Sequence, residues 1–135
     1  MHITGGCQCG TIRYEFTGEP VQQVACHCTE CQHQSGSAFG MTLVVNVDDF
    51  RITQGKLKHY HSTSTTGRQK LGAFCPECGN RIYHQPEWRK GRISIKPGTL
   101  DDTSWLKPHV HLWTRSKQPW VIIPADAEAH ETQPG

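Results

Sequence analysis

Short alternations of apolar and polar residues dominate the chain and predict β-strands. Residues 11–16 (TIRYEF) alternate and end before Gly18 and Pro20, which favour a turn. Residues 41–47 (MTLVVNV) are rich in β-branched side chains, as buried strands are. The same patterns predict strands at residues 21–25, 50–54, 57–61, 69–74, 81–84, 92–96 and 110–114. The chain is therefore expected to form one mostly antiparallel β domain.

Helical patterns are scarce. Residues 29–34 and residues 101–105 are each predicted to form a turn or two of helix, the second with Asp101 or Asp102 as its N-cap. The two neighbouring aspartates could also pass for paired catalytic carboxylates, but their place at a helix start favours the capping role.

The domain organisation predicted from these patterns is simple. Residues 1–123 are expected to form a single domain with no internal repeat. Residues 62–67 (STSTTG) predict a polar loop between two strands. Residues 124–135 predict a loosely ordered C-terminal tail.

Composition and charge restrict the possible partners. The 135 residues are 35% hydrophobic, so the core should be modest and a bound metal would help to stabilise it. The net charge of +2 is too balanced to indicate a nucleic-acid partner. The first six residues (MHITGG) lack the features of a secretory signal, and no stretch is long enough to span a membrane. We therefore expect a cytoplasmic protein without nucleic-acid or membrane partners.

All seven cysteines fall into three tight clusters: Cys7 and Cys9; Cys26, Cys28 and Cys31; Cys75 and Cys78. In a protein that is not exported, an odd and clustered set indicates reduced thiols that bind metal, although a disulfide arrangement stays open. Zinc takes four protein ligands in structural sites, and three plus an open position in catalytic sites. Seven cysteines divide naturally into four and three.

The last cluster has the form of a zinc knuckle. Two residues separate Cys75 from Cys78, and Gly79 supplies the positive φ that such a turn often needs. Both flanks predict strands, whereas a redox Cys-x-x-Cys precedes a helix. Cys7 and Cys9 would complete a structural four-thiolate site. Spacing alone also allows the knuckle to pair with the middle cluster.

The middle cluster of Cys26, Cys28 and Cys31 is one ligand short of a closed site. A histidine could fill the fourth position, although a histidine between two ligands should point away from their metal. The candidates are His27, His33, His59, His61, His84, His109 and His111. Alternatively, water or a substrate thiolate takes the position, and a Lewis-acidic zinc with an open place is catalytic.

Candidate substrate-binding residues follow this cluster. Ser35, Gly36 and Ser37 could form a loop whose backbone approaches a ligand, with a solvated turn as the alternative interpretation. Among the four tryptophans, Trp105 is the one expected near a pocket.

The cysteine clusters with their flanks are residues 6–14 (GCQCGTIRY), 26–32 (CHCTECQ) and 74–79 (FCPECG). In this order they resemble the glutathione-dependent formaldehyde-activating enzyme family, which includes the centromere protein V-like domains. The similarity continues to about Ile123 and so covers nearly the whole chain.

That resemblance implies a β-tent fold of small antiparallel sheets. It implies a structural zinc on Cys7, Cys9, Cys75 and Cys78, and a second, catalytic zinc on Cys26, Cys28 and Cys31, two ions per chain. It also implies a carbon–sulfur lyase that condenses formaldehyde with glutathione to S-hydroxymethylglutathione, and catalyses the reverse. The three-thiolate zinc would hold or polarise a thiol or its aldehyde adduct at the open position.

We therefore expect a zinc-dependent carbon–sulfur lyase-type enzyme that acts on a small thiol or thiol–aldehyde adduct. The alternative is a non-catalytic zinc-binding module for a protein or small-thiol partner. No pattern marks a site for the carboxylates of glutathione, and the candidates by charge alone are Arg51, Lys56, Lys58, Arg68 and Lys70. The sequence does not predict an oligomeric state.

Overall fold

The computed structural model describes residues 1–64 and 67–133. Within these residues it contains eleven strands, one α-helix and three short 3₁₀ turns. The prediction of a mostly β fold of small sheets is confirmed. The predicted polar loop and the predicted tail each extend beyond the described residues, at Thr65 and Thr66 and at Pro134 and Gly135.

The elements follow the predicted order closely. The helix α1 spans Thr29–Ser35, and the 3₁₀ turns span Val47–Asp49, Pro97–Thr99 and Thr114–Ser116. The strands are β1 (His2–Gly6), β2 (Arg13–Thr17), β3 (Gln22–Cys26), β4 (Gly40–Asn46), β5 (Phe50–Gln54), β6 (Lys58–Thr63), β7 (Gln69–Phe74), β8 (Arg81–Pro86), β9 (Arg92–Ile95), β10 (Val110–Leu112) and β11 (Glu128–Ala129). The chain forms two compact units: Met1–Val21 with Leu43–Trp105, and Gln22–Thr42 with Leu106–Gly135.

The first unit contains a three-stranded antiparallel sheet in the order β1-β2-β5. Alternate residues of the β2 segment, namely Ile12, Tyr14 and Phe16, are almost completely buried. Their burial explains the apolar–polar alternation in the sequence, because successive side chains of a strand point to opposite faces. The β1 strand was not predicted; its Gly5 lies opposite Tyr14.

The other strands of the first unit follow one another in the order β4-β9-β8-β7-β6, and all the described pairs are antiparallel. One register row runs across four of them, from Tyr60 on β6 through Gly72 on β7 and His84 on β8 to Ser94 on β9. We call these four positions the cross-strand row.

The second unit is built around β10, which pairs in parallel with both β3 and β11. The other described strand pairs are antiparallel, in agreement with the prediction of a mostly antiparallel domain. Val24, Val110 and Leu112 form a small buried cluster there. The predicted strand 110–114 ends at Leu112, because Trp113 adopts a left-handed backbone conformation (φ 57°). The β11 strand lies within the predicted tail, and the division into domain and tail stays a prediction.

The predicted helix at residues 101–105 is wrong. The carboxylate of Asp102 accepts hydrogen bonds from the Ser104 backbone N–H (2.9 Å) and hydroxyl (2.6 Å), which caps a turn. Asp101 instead accepts from the side chains of Arg13 and Thr4, whose hydrogen bonds lower its pKa to about 2. Among the described residues, no helix is long and apolar enough to cross a membrane.

Candidate metal centres

Four cysteine sulfurs of the first unit lie within 4.8 Å of one another: those of Cys7, Cys9, Cys75 and Cys78. The Cys9 Sγ is 3.6 Å from that of Cys7 and 3.7 Å from that of Cys75. A tetrahedral zinc with Zn–S bonds of about 2.3 Å sets its sulfurs about 3.8 Å apart. The spacing of this four-cysteine cluster therefore fits a zinc ion.

The segment before β2 folds so that backbone groups surround Cys7. The Cys7 N–H donates to the Ile12 carbonyl (3.1 Å), and the Ile12 N–H donates to the Cys7 sulfur (3.2 Å). The Gly10 N–H donates to the Cys7 carbonyl (3.1 Å) and closes the turn. N–H groups that point at a thiolate stabilise its negative charge and fix its orientation for a metal.

The turn between β7 and β8 has the knuckle geometry expected from the sequence. The Glu77 N–H donates to the Cys75 sulfur (3.4 Å), and the Gly79 N–H donates to the Cys75 carbonyl (2.9 Å). Gly79 has the expected positive φ (76°). The side chain of Asn80 accepts from the Gln8 N–H (3.0 Å), which ties the two cysteine-bearing turns together.

Hydrogen bonds favour the thiolate form at the exposed sulfurs of this cluster. The side chain and backbone of Thr11 lower the pKa of Cys9 to about 6, and the backbone of Asn80 lowers the pKa of Cys78. Desolvation raises the pKa of Cys75, which is fully buried, to about 11. The thiolate is the form that ligates metals, so these donors suit a zinc site.

The three cysteines of the middle cluster lie in the second unit, and their sulfurs also lie within 4.8 Å of one another. Cys26 ends β3, Cys28 is the N-cap of α1, and Cys31 lies in the first turn of that helix. The Cys28 sulfur is 3.5 Å from that of Cys26 and accepts the Cys31 N–H at 3.3 Å. The strand end and helix start thus bring three half-buried sulfurs together.

The Cys28 sulfur carries the negative charge of this cluster most readily. The Cys26 thiol donates to it, and this hydrogen bond lowers the pKa of Cys28 to about 2 and raises the pKa of Cys26. Further hydrogen bonds from Cys31 act on Cys28 in the same direction. The arrangement provides a thiolate at the helix start, where a cation would be held.

No fourth histidine, cysteine or carboxylate joins these three sulfurs in the part of the chain that the structure describes. His27 points away, as expected from its position between two ligands: its Nε2 lies 3.0 Å from the His111 Nδ1, and its ring packs on Phe39. The His33 Nδ1 lies 3.1 Å from the Thr29 carbonyl oxygen of its own helix. The described residues thus offer three protein ligands here.

The buried pair of His27 and His111 anchors the segment between Cys26 and Cys31, which we call the cysteine loop. Their rings stack with centroids 5.2 Å apart, and burial lowers the pKa of both imidazoles, which favours the neutral forms. The spacing of the cysteine motif does not reveal this pair, because His111 lies 84 positions from His27. His111 was expected only as a possible metal ligand, and its contact with His27 was not predicted.

Gln32 connects the cysteine loop to a later segment. Its Nε2 donates to the His27 carbonyl (2.9 Å) and to the Ser116 carbonyl (3.0 Å), and its Oε1 accepts from Gln118 (3.2 Å). A shallow depression of about 390 Å³ adjoins these contacts, and it is lined by Gln32, His33, Gly36, Ser37 and Gln118. Sequence reasoning missed Gln118, because nothing in its local pattern marks it.

Two of the four predicted substrate-binding residues line this depression. Gly36 and Ser37 line the depression, whereas the Ser35 hydroxyl donates to the Gln32 carbonyl (3.4 Å). Trp105 belongs to the first unit, and its indole N–H is buried without an acceptor among the described residues. Substrate binding by these residues stays a prediction.

Comparison with known proteins identifies the family. The model of the family described as "Glutathione-dependent formaldehyde-activating enzyme" matches residues 2–116. A crystal structure of a Rhodobacter sphaeroides protein is also similar, with a TM-score of 0.58 and 20% sequence identity over 78% of this chain and 91% of that chain. At that identity the likeness shows a shared fold alone.

Proposed function

Because the chain belongs to the glutathione-dependent formaldehyde-activating enzyme family, we propose that it is a cytoplasmic, zinc-dependent carbon–sulfur lyase. Its proposed substrate is a small thiol or a thiol–aldehyde adduct, such as S-hydroxymethylglutathione. The observation that carries the proposal is the cluster of Cys26, Cys28 and Cys31, which has three converging sulfurs and no fourth ligand among the described residues.

The four-cysteine cluster would hold a structural zinc. Its four sulfurs already supply a complete tetrahedron, so no position is left for a substrate. It joins two turns that are 66 positions apart in the sequence, those of Cys9 and Cys75. A metal that holds distant segments together contributes directly to folding free energy.

The three-cysteine cluster would hold the catalytic zinc. A zinc ion with three thiolate ligands and an open position supplies Lewis acidity, which favours the ionised form of a bound thiol. The protein's own contribution is to fix the three sulfurs. The Cys31 N–H orients Cys28, the neutral His27–His111 pair holds the loop from its buried side, and Gln32 binds the loop's carbonyl.

The depression adjoins the cysteine-bearing helix α1 and suits a peptide-like thiol. The Gln118 amide and the Ser37 hydroxyl line it, whereas both N–H groups of the Gln32 amide already donate to the His27 and Ser116 carbonyls. Groups of this kind can exchange hydrogen bonds with the peptide links of a molecule such as glutathione. The depression is open to solvent, which also suits a lyase because its products must leave the site.

The proposal is tested by measuring the exchange between glutathione and S-hydroxymethylglutathione with two-dimensional exchange NMR. Formaldehyde adds to thiols without an enzyme, so the quantity of interest is the exchange rate above the protein-free rate. We expect the zinc-loaded protein to raise that rate, and Cys28→Ser to return it to the background. Metal analysis should give two zinc ions per wild-type chain.

The Cys28→Ser variant is a suitable control because serine is also a good N-cap. Its hydroxyl can accept the N–H bond at the start of α1, so the helix should remain. If wild type and variant exchange at the background rate with zinc bound, the enzyme proposal is wrong. The protein would then be a zinc-binding module.

A further inference from the structure

The guanidinium group of Arg81 lies over part of the cross-strand row in the first unit. A Cβ atom at Gly72 would come within 2.2 Å of the Tyr60 ring, so this ring covers Gly72. The guanidinium carbon of Arg81 lies 5.8 Å from the centroid of the same ring. Arg81 is therefore held on the face of the sheet that carries Tyr60, Gly72 and His84.

Unpaired polar atoms concentrate around this row. Within residues 1–64 and 67–133, five buried side-chain atoms near the row have no hydrogen-bond partner: Ser62 Oγ, Arg81 Nε, Arg81 Nη2, His84 Nδ1 and Ser94 Oγ. His84 and Ser94 lie directly opposite each other, and Ser62 is two residues from Tyr60, hence on the same face. Buried polar groups are normally paired, so this set calls for an explanation.

The charge around the row is positive. Burial lowers the pKa of His84 well below its ordinary value, and the positive charges of Lys96, Lys70, Arg81 and Arg89 lower it further. His84 is therefore neutral and can donate one ring N–H. The surrounding cations would stabilise a negative charge placed among them.

The two unpaired nitrogens of Arg81 define the shape of the missing group. Nε–H and the adjacent Nη2–H lie along one edge of the planar guanidinium and donate in parallel. That edge matches two oxygens of a carboxylate or phosphate. The Tyr60 ring restricts the guanidinium plane from one side, so the edge is preorganised for such a ligand.

We propose that this face of the first unit binds an oxyanion, the carboxylate or phosphate group of a small molecule. Arg81 would bind two of its oxygens, and the neighbouring His84 and Ser94 would donate to them. Lys70, Arg81, His84 and Lys96 are each partly exposed, so movement of their long side chains gives the ligand access. The site does not depend on the zinc chemistry proposed above.

The test is isothermal titration of the zinc-loaded protein with inorganic phosphate and with succinate, at constant ionic strength set by sodium chloride. We expect saturable binding of at least one probe, and the tighter probe identifies the ligand class. Arg81→Gln should weaken binding roughly tenfold or more, since it removes a charged two-point contact. Arg68→Gln, which removes an exposed arginine packed over Trp88, is the matched control and should bind like wild type.

Ser94→Ala is a second test, which still applies if the Arg81 variant does not fold. The Ser94 hydroxyl has no hydrogen-bond partner among the described residues, so its removal should leave the melting temperature unchanged or raise it, while weakening anion binding several-fold. If neither probe saturates the wild type, the proposal is wrong. It is also wrong if the Ser94 and Arg81 variants bind both probes as tightly as wild type.

Discussion

Replacement of a single buried thiolate should separate the two metal centres by their effect on stability. Cys75 is fully buried, its sulfur lies 3.7 Å from that of Cys9, and it accepts the Glu77 N–H. The hydroxyl of serine does not ionise near neutral pH and ligates zinc poorly. Cys75→Ser should therefore remove one of four ligands from the structural site.

The expected loss follows from the energy of structural zinc sites. Zinc contributes about 10–16 kcal/mol to small zinc modules, or about 3 kcal/mol per ligand if the four cysteines share it equally. That is a large part of the roughly 5–15 kcal/mol that stabilises an ordinary domain. At about 4 °C per kcal/mol, the melting temperature should fall by roughly 12 °C, or the protein should not fold.

Cys28→Ser should cost far less. Cys26, Cys28 and Cys31 lie within six consecutive positions, so a metal there closes only a short loop and restricts the unfolded chain little. Serine also keeps the N-cap of α1. We expect a stability change below about 1 kcal/mol.

The assay is thermal unfolding by circular dichroism of wild type, Cys75→Ser and Cys28→Ser, with zinc content measured on the same samples. Cys78→Ser serves as a second variant of the structural site and should behave like Cys75→Ser. Equal destabilisation by Cys75→Ser and Cys28→Ser would refute the division into a structural and a catalytic centre. So would an unchanged melting temperature of Cys75→Ser.

Two further predictions concern the first unit. Gly5→Ala should cost about 1–3 kcal/mol in urea unfolding, because its Cβ would lie 2.5 Å from the Tyr14 hydroxyl oxygen, whereas Gly98→Ala meets nothing within 4 Å and should be tolerated. The pKa of Asp101 is lowered to about 2, chiefly by Arg13, so its contribution is present above pH 4 and is lost as the pH falls towards 2. Because Asp101 is half exposed, that contribution should stay below about 1 kcal/mol, and urea midpoints of wild type and Asp101→Asn should converge near pH 2. A difference that persists unchanged at pH 2, or equal costs for the two glycine variants, would contradict these assignments.

The strands that could be predicted are those whose burial leaves a local pattern. The alternation around Tyr14 and Phe16 follows directly from one buried face. The β1 strand escaped prediction because it ends in two glycines, which have low strand propensity. Gly5 is required there by the Tyr14 side chain, a contact that local propensity does not contain.

The wrong helix at residues 101–105 has a related cause. Asp101 looks like a cap when only its neighbours are considered, but its carboxylate pairs with Arg13, 88 positions away. The Asp101 N–H also donates to the Thr4 carbonyl (3.0 Å), so β1 engages this segment in an extended arrangement. The long-range contact with Arg13 thus overrides the local preference of Asp101 for capping a helix.

The same contrast explains why the metal centres were easier to find than the oxyanion site. Each metal ligand has a second one within three positions, because a turn must aim adjacent thiolates at one ion, and this leaves a readable motif. The anion donors instead come from Arg81, His84 and Ser94, on two neighbouring strands that only the sheet register brings together. Single polar residues in strands are common, so none of these stands out in the sequence. Their significance lies in being buried together without hydrogen-bond partners in residues 1–64 and 67–133, a property of the folded sheet alone.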